Sequence, residues 1–325
     1  MRKISFLTNL SGLIPLSFLL ALLFVSCASG GAIKAEEYFS IGMAYYDMGK
    51  YAEAEQWLNR ARAADRTMTA SEYNLGRIAF ETGRYEEAAR HFENILGRDP
   101  DNVMALKAAA FSRIKNGDLE KAEALYDRVL VLVPESVDDG YNYALVLYGL
   151  KKFDKCEETL NRYPNTLEEN SASLLLLARA QKAQNKVEAI DSYDKWLLLN
   201  TASNPQALYE YAQVLENAGL YARAIEQYSS IIGSLGKDTD SLKKADVRFE
   251  KARLLLTADP ENPEGIEELK TSVNEGFSDT NAIETLLLDQ RITRENKEEI
   301  NKILAAPIET EEINHEEENS DDELI

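Results

Sequence analysis

Through the middle of the chain, apolar residues recur at helical spacing in paired blocks separated by short polar turns. The clearest pair is Thr69 to Asn102, TASEYNLGRIAFETGRYEEAARHFENILGRDPDN, which reads as two amphipathic helices broken at Thr82-Gly83-Arg84. Stepping by 34 in either direction from Gly76 gives Gly42, Ala110, Ala144, Ala178 and Ala212. A second small series follows at Ala54, Ala88, Ala122, Cys156 and Ala224, with its fifth member displaced by one residue to Ala189. A large apolar series shares that displacement: Leu58, Phe92, Tyr126, Leu160, Tyr193 and Tyr228. A fixed period of this size signals stacked repeats. Each repeat is predicted to be a helical hairpin whose small residues let the two helices approach closely. The large residue is expected to fill the gap to the next hairpin. Gly49, Gly83, Gly117 and Gly219 stand between helices, where a left-handed cap is easiest to adopt, and Pro100 and Pro134 stop the second helices of two repeats.

Leu75-Gly76, Tyr85, Ala88, Phe92 and Pro100 together resemble the tetratricopeptide repeat (TPR) pattern of Leu-Gly, Tyr, Ala, Phe and Pro. The resemblance implies an all-α fold, a superhelical solenoid of antiparallel helix pairs. Six repeats are placed at 35–68, 69–102, 103–136, 137–170, 171–204 and 205–238. Repeat four ends early, at Tyr163-Pro164-Asn165, and repeat five carries the one-residue slip in its internal turn. Residues 239–306 read as a degenerate seventh repeat followed by capping helices, because a terminal repeat needs cover for its open apolar face.

The two ends of the chain read differently. Residues 1–26 form a targeting segment, with basic Arg2 and Lys3 before the apolar run Leu13 to Val25. The run ends at Cys27 and small residues follow, which resembles a bacterial lipoprotein signal, although Phe24 stands where leucine is usual. That resemblance implies lipidation of Cys27, a short tether over 27–34 and a lipid-anchored place in the bacterial cell envelope, on the periplasm-facing or the outer membrane. An ordinary signal peptide cut near Ala28, or a retained helix, are the alternatives; the run is short for a retained span. Loss of Arg2 and Lys3 takes the formal charge from −20 to −22. So acidic a surface argues against nucleic acid as a partner, and membrane attachment then rests on the anchor. Residues 307–325 form an acidic tail that reads as disordered.

The chemistry of a catalyst is missing from the sequence. His91 and His315 are the two histidines, one on a repeat helix and one in the tail, so no metal cluster or histidine-based triad can be assembled. The glycines follow the repeat and form no phosphate loop. Catalytic residues, metal and cofactor are therefore all expected to be none. Cys156 takes a place that other repeats give to alanine, and reads as a small core residue.

The informative feature is a second stripe on the first helix of each repeat. Repeat positions 4, 8 and 11 should pack inside the hairpin, while positions 5, 9 and 12 lie about 100° round the helix. In the TPR family the latter stripe lines the concave groove. Here it supplies Phe39, Met43 and Tyr46; Tyr73, Arg77 and Phe80; Lys107, Phe111 and Ile114; then Tyr141, Leu145 and Tyr148. Leu175, Arg179, Lys182, Tyr209, Gln213 and Glu216 continue it in more polar form. Aromatics with a few cations suit a protein-binding surface, though the same rings could instead fill the inner surface or cover one another. Phe39 and Met43 replace the first two residues of the carboxylate clamp known in some TPR proteins, so that chemistry is not implied.

The resulting expectation is a non-catalytic, membrane-tethered scaffold that binds a protein or peptide segment in its aromatic-lined concave groove and serves envelope assembly. The alternative is an accessory lipoprotein of periplasmic solute uptake that binds a substrate-binding protein or a small apolar ligand. An adhesin is a third reading.

Overall fold

The computed structural model describes residues 34–199, 204–235 and 242–305. Cys27 with its signal segment, and the tail from Pro307, lie outside the described residues. The chain divides into two compact units, Met1–Val133 and Pro134–Ile325. Every regular element among the described residues is an α-helix.

In the first unit the helices are α1 (Ala35–Asp47), α2 (Tyr51–Ala64), α3 (Thr69–Glu81), α4 (Tyr85–Leu96), α5 (Val103–Asn116) and α6 (Leu119–Leu132). They pair as hairpins because small residues face each other inside each one: Ala54, Ala88 and Ala122 are completely buried. A Cβ added to Gly76 would meet the Phe92 ring at 2.8 Å, and one added to Gly42 would meet Leu58 Cγ at 2.8 Å. This corrects the expected role of the large series. Phe92 and Leu58 close their own hairpins, filling the space that the glycines vacate.

The second unit begins with α7 (Val137–Gly149), α8 (Phe153–Asn161), α9 (Pro164–Glu169), α10 (Ser171–Ala183) and α11 (Ala189–Leu199). It continues with α12 (Pro205–Asn217), α13 (Tyr221–Ser234), α14 (Lys244–Ala258), α15 (Glu264–Asn274), α16 (Thr280–Leu288) and α17 (Arg294–Ala305). After the short α8, Pro164 starts the extra turn of α9 at a position where its missing N–H costs nothing. Tyr163 folds back and donates from its hydroxyl to the Pro134 carbonyl at 2.8 Å. Its ring occupies the space beside Gly140, where a Cβ would come within 2.2 Å. Tyr193 stacks on Tyr211 of the following hairpin at 5.1 Å, so here the large series does reach the next repeat. Cys156 is fully buried, and burial followed by the charge of Glu157 pushes its thiol up to about 12. It is a packing residue with little thiolate to react. At the C-terminal end, Ile283, Leu286, Ile292 and Ile300 bury against Phe249, Ala252, Leu256 and Leu269. The last two helices thereby cover the apolar face of the α14–α15 pair.

The turns keep the period more faithfully than the composition does. Gly49, Gly83, Gly117 and Gly219 have φ of 71°, 76°, 85° and 74°. The two intervening places on the same 34-residue series hold Lys151 at φ 58° and Asn185 at φ 56°. The hairpin turn of each of the six repeats therefore uses a left-handed residue, whether or not it is glycine. Because Asn185 is in phase and Ala189 is not, the missing residue of repeat five falls between them.

The inner stripe of positions 4, 8 and 11 is less apolar than expected. Position 4 of repeat two is Glu72 and position 11 of repeat three is Arg113, and they are 2% and 4% exposed. Each is satisfied. Glu72 accepts from His91 at 2.8 Å, Asn94 at 2.9 Å and Arg62 at 3.3 Å. Arg113 donates to Glu93 at 2.7 Å and Asp118 at 3.0 Å, and pairs with Glu86. These networks bind neighbouring hairpins together through buried, charge-assisted bonds.

Candidate functional site

In the first unit α1 carries Phe39, Met43 and Tyr46, α3 carries Tyr73, Arg77 and Phe80, and α5 carries Lys107, Phe111 and Ile114. All are half-buried except Phe111, which is 44% exposed. Phe39, Met43 and Tyr46 lie against the core formed by Ala54, Leu58, Leu75 and Ile78. Tyr73 meets Phe92 edge to face at 5.2 Å. Phe80 meets Tyr85 edge to face at 5.3 Å and stacks on Phe111 at 5.3 Å. Lys115 holds its ammonium 5.6 Å from the centre of the Phe111 ring. These distances fit favourable ring pairs and cation–π contact.

The stripe has an internal rule that the sequence did not disclose. At three repeat junctions position 12 contacts position 9 of the next repeat, 31 residues on. Tyr46 bonds Arg77, Phe80 stacks on Phe111 and, in the second unit, Lys182 donates to Gln213 at 2.8 Å. Part of the stripe thus serves packing between repeats, as the filler reading allowed. That packing does not fix one chemistry at position 9, which holds Met43, Arg77, Phe111, Leu145, Arg179 and Gln213 in turn.

In the second unit Tyr141, Leu145 and Tyr148 lie on α7. Leu145 is 42% exposed, while Tyr141 and Tyr148 are half-buried. Burial raises both phenols above the usual tyrosine range, and the Arg179 charge pulls them back only in part. Tyr148 packs edge to face on Phe153 at 5.4 Å. The stripe turns polar beyond this point: Arg179 pairs with Glu210 at 2.7 Å, and Arg253 with Glu216 at 2.7 Å. Burial opposes the charge on Arg179, but its bond to Glu210 outweighs that and raises its pKa. The arrangement offers rings, aliphatic edges and fixed cations. Among the described residues no group of His, Cys, Asp and Glu could hold a metal ion, and no helix is long and apolar enough to cross a membrane.

Comparison with known proteins agrees with this architecture. Tetratricopeptide repeat family models match residues 35–67, 73–137 and 175–239, together just over half of the chain. A model of anaphase-promoting complex subunit 3 matches residues 115–196. An "uncharacterized lipoprotein" of Treponema pallidum is 24% identical over 50% of this chain and 83% of its own length. The mouse NatA auxiliary subunit N-alpha-acetyltransferase 16 is also 24% identical, over 46% of this chain but 18% of that protein. A tetratricopeptide repeat protein from Parabacteroides merdae superposes with a TM-score of 0.51 at 20% identity, covering 78% of this chain and 97% of that one. The chain belongs to the tetratricopeptide repeat family.

Proposed function

We propose that the protein is a non-catalytic scaffold of the bacterial cell envelope, tethered to a membrane through a lipidated Cys27. It binds protein through the stripe of positions 5, 9 and 12, to which each unit contributes its own part. The observation that carries this reading is the exposure of Phe111 and Leu145, at 44% and 42%. Both are large, apolar and at position 9, where the neighbouring repeats place arginine without harm to the fold. Phe111 stacks on Phe80 yet keeps 44% of its surface exposed, and an exposed ring beside an ammonium suits an interaction hot spot. The tether is supported by the apolar run ending at Cys27 and by the likeness to the Treponema lipoprotein.

A photo-crosslinking amino acid at Phe111, compared with one at Val131, tests the surface. Val131 is 77% exposed near the end of α6 and lies off the stripe. One envelope protein captured from position 111 and absent from position 131 is the expected result. Equal capture from both would remove the stripe as the binding surface.

A further inference from the structure

Three hairpins close their turns with a pair of rings. Position 12 and the residue five places on are Tyr46 and Tyr51 in repeat one, with centroids 5.5 Å apart. They are Phe80 and Tyr85 in repeat two at 5.3 Å, and Tyr148 and Phe153 in repeat four at 5.4 Å. In repeat five the same two places hold Lys182 and Val187. Neither supplies a ring. The missing turn residue also delays α11 to Ala189, which leaves Val187 68% exposed.

Repeats three and six also lack the pair, with Ile114 and Leu119 and with Glu216 and Tyr221, but in repeat five a cavity of about 160 Å³ opens beside these two places. Its apolar wall is Val187, Ile190 and Val214, and Lys182, Asn185 and Asn217 supply polar groups. An enclosed engineered apolar cavity of about 150 Å³ in another protein holds benzene; this space has a similar volume but is open on one side, so one aromatic ring fits with an edge left to solvent. The ammonium in the wall is not neutralised by a bonded carboxylate. Lys182 donates to the neutral Gln213 at 2.8 Å, and nearby Glu210 is held by Arg179 at 2.7 Å. The other lysine of the wall, Lys186, is already paired with Glu157 at 2.7 Å. Two of the three donors of a lysine ammonium are thus left for a ligand at Lys182.

We propose that this cavity binds a small aromatic carboxylate, its ring seated where other hairpins place their own and its carboxylate on Lys182. The amides of Asn185 and Asn217 offer further donors to the same head group. Lys182 is position 12 of repeat five and belongs to the polar continuation of the stripe, but the site uses neither Phe111 nor Leu145, the residues that carry the partner reading. Either can fail alone.

Phenylacetate titrated into the full chain, followed through the methyl resonances of Val187, Ile190 and Val214, tests the site. Saturable shifts at these three residues are expected. Acetate, which lacks the ring, and benzyl alcohol, which lacks the charge, should each bind at least about tenfold more weakly. Lys182→Met should weaken phenylacetate by a similar factor and leave benzyl alcohol unchanged. Lys182→Tyr with Val187→Phe should restore the ring pair, abolish binding and raise the melting temperature; Val187→Phe alone serves if the double variant does not fold. Absence of saturable shifts at millimolar phenylacetate would overturn the proposal. So would binding indifferent to Lys182→Met, or shifts confined to other residues. Shifts at these methyls with a peptide ending in Phe, and none with phenylacetate, would overturn it in favour of a protein C-terminus.

Discussion

The Arg77 guanidinium donates to the Tyr46 hydroxyl at 2.9 Å and lies 4.6 Å from the centre of the same ring. This contact joins the ion pairs Arg62–Glu72 and Arg84–Glu55 in tying the second hairpin to the first, and Phe80 with Phe111 takes its place one hairpin later at 5.3 Å. If the ladder couples the repeats, Tyr46→Leu and Arg77→Met should be non-additive. A double-mutant cycle by urea denaturation is expected to give a coupling of about 1 kcal/mol, as for a half-buried hydrogen bond with a cation–π component. Additive losses would mean that the contact carries no energy between repeats.

The buried Glu72 gives a pH test. Burial alone would raise its carboxyl, but hydrogen bonds from His91 and Asn94, with the charges of His91 and Arg62, outweigh that and hold it at about 2. A depressed folded-state pKa contributes stability that is present above the unfolded value of 4.5 and lost as pH falls through about 2. The contribution is on the order of 3 kcal/mol. Glu72→Gln should therefore be less stable than the parent at pH 6, with the gap closing toward pH 2. A gap that is constant from pH 6 to pH 2, followed by chemical denaturation, would contradict this account of the cluster.

Lys151 occupies a left-handed turn position that four other repeats give to glycine. A lysine there bears a backbone strain of about 1–2 kcal/mol, which glycine removes at the expense of a more flexible unfolded chain. Lys151→Gly should stabilise by about 0.5–1 kcal/mol. Asn185→Gly should change little, since asparagine tolerates this conformation. Melting temperatures of the two variants, measured side by side, should rise for the first and stay level for the second.

The anchor is tested by Cys27→Ala. The variant should move from the detergent phase to the aqueous phase on phase partition, with its circular dichroism unchanged. Retention in the detergent phase would revive the alternative of an uncleaved N-terminal helix.

The repeat was legible because the same packing problem is solved many times. Gly42, Gly76 and Ala110 recur at one spacing since each must admit a partner helix, and that constraint leaves only small residues. The turns at Lys151 and Asn185 were not legible from composition, because lysine does not announce a left-handed conformation and asparagine permits one without requiring it. Only their phase with Gly117 and Gly219 reveals it. Glu72 and Arg113 broke the apolar inner stripe for a reason invisible in any single helix: their partners, His91 and Glu93 among them, lie on other helices. The stripe residues themselves were identifiable, yet which of them cover one another depended on contacts 31 residues apart. Tyr73, Phe111 and Tyr141 look alike in the sequence. In the structure Tyr73 rests on Phe92, Phe111 stays 44% exposed and Tyr141 is half-buried in the second unit.

The central claim is that the exposed part of the apolar residues at position 9 serves a partner, beyond any packing those residues do between repeats. Phe111→Ser combined with Leu145→Ser separates the two, because both side chains are already more than two-fifths exposed. The measurement is the dissociation constant of the double variant for the protein that crosslinks at position 111, with the melting temperature recorded alongside. The account predicts a modest loss of folding stability and a weakening of binding by roughly 30-fold or more, corresponding to about 2 kcal/mol at a hot spot. A variant that binds this partner with parental affinity would contradict it.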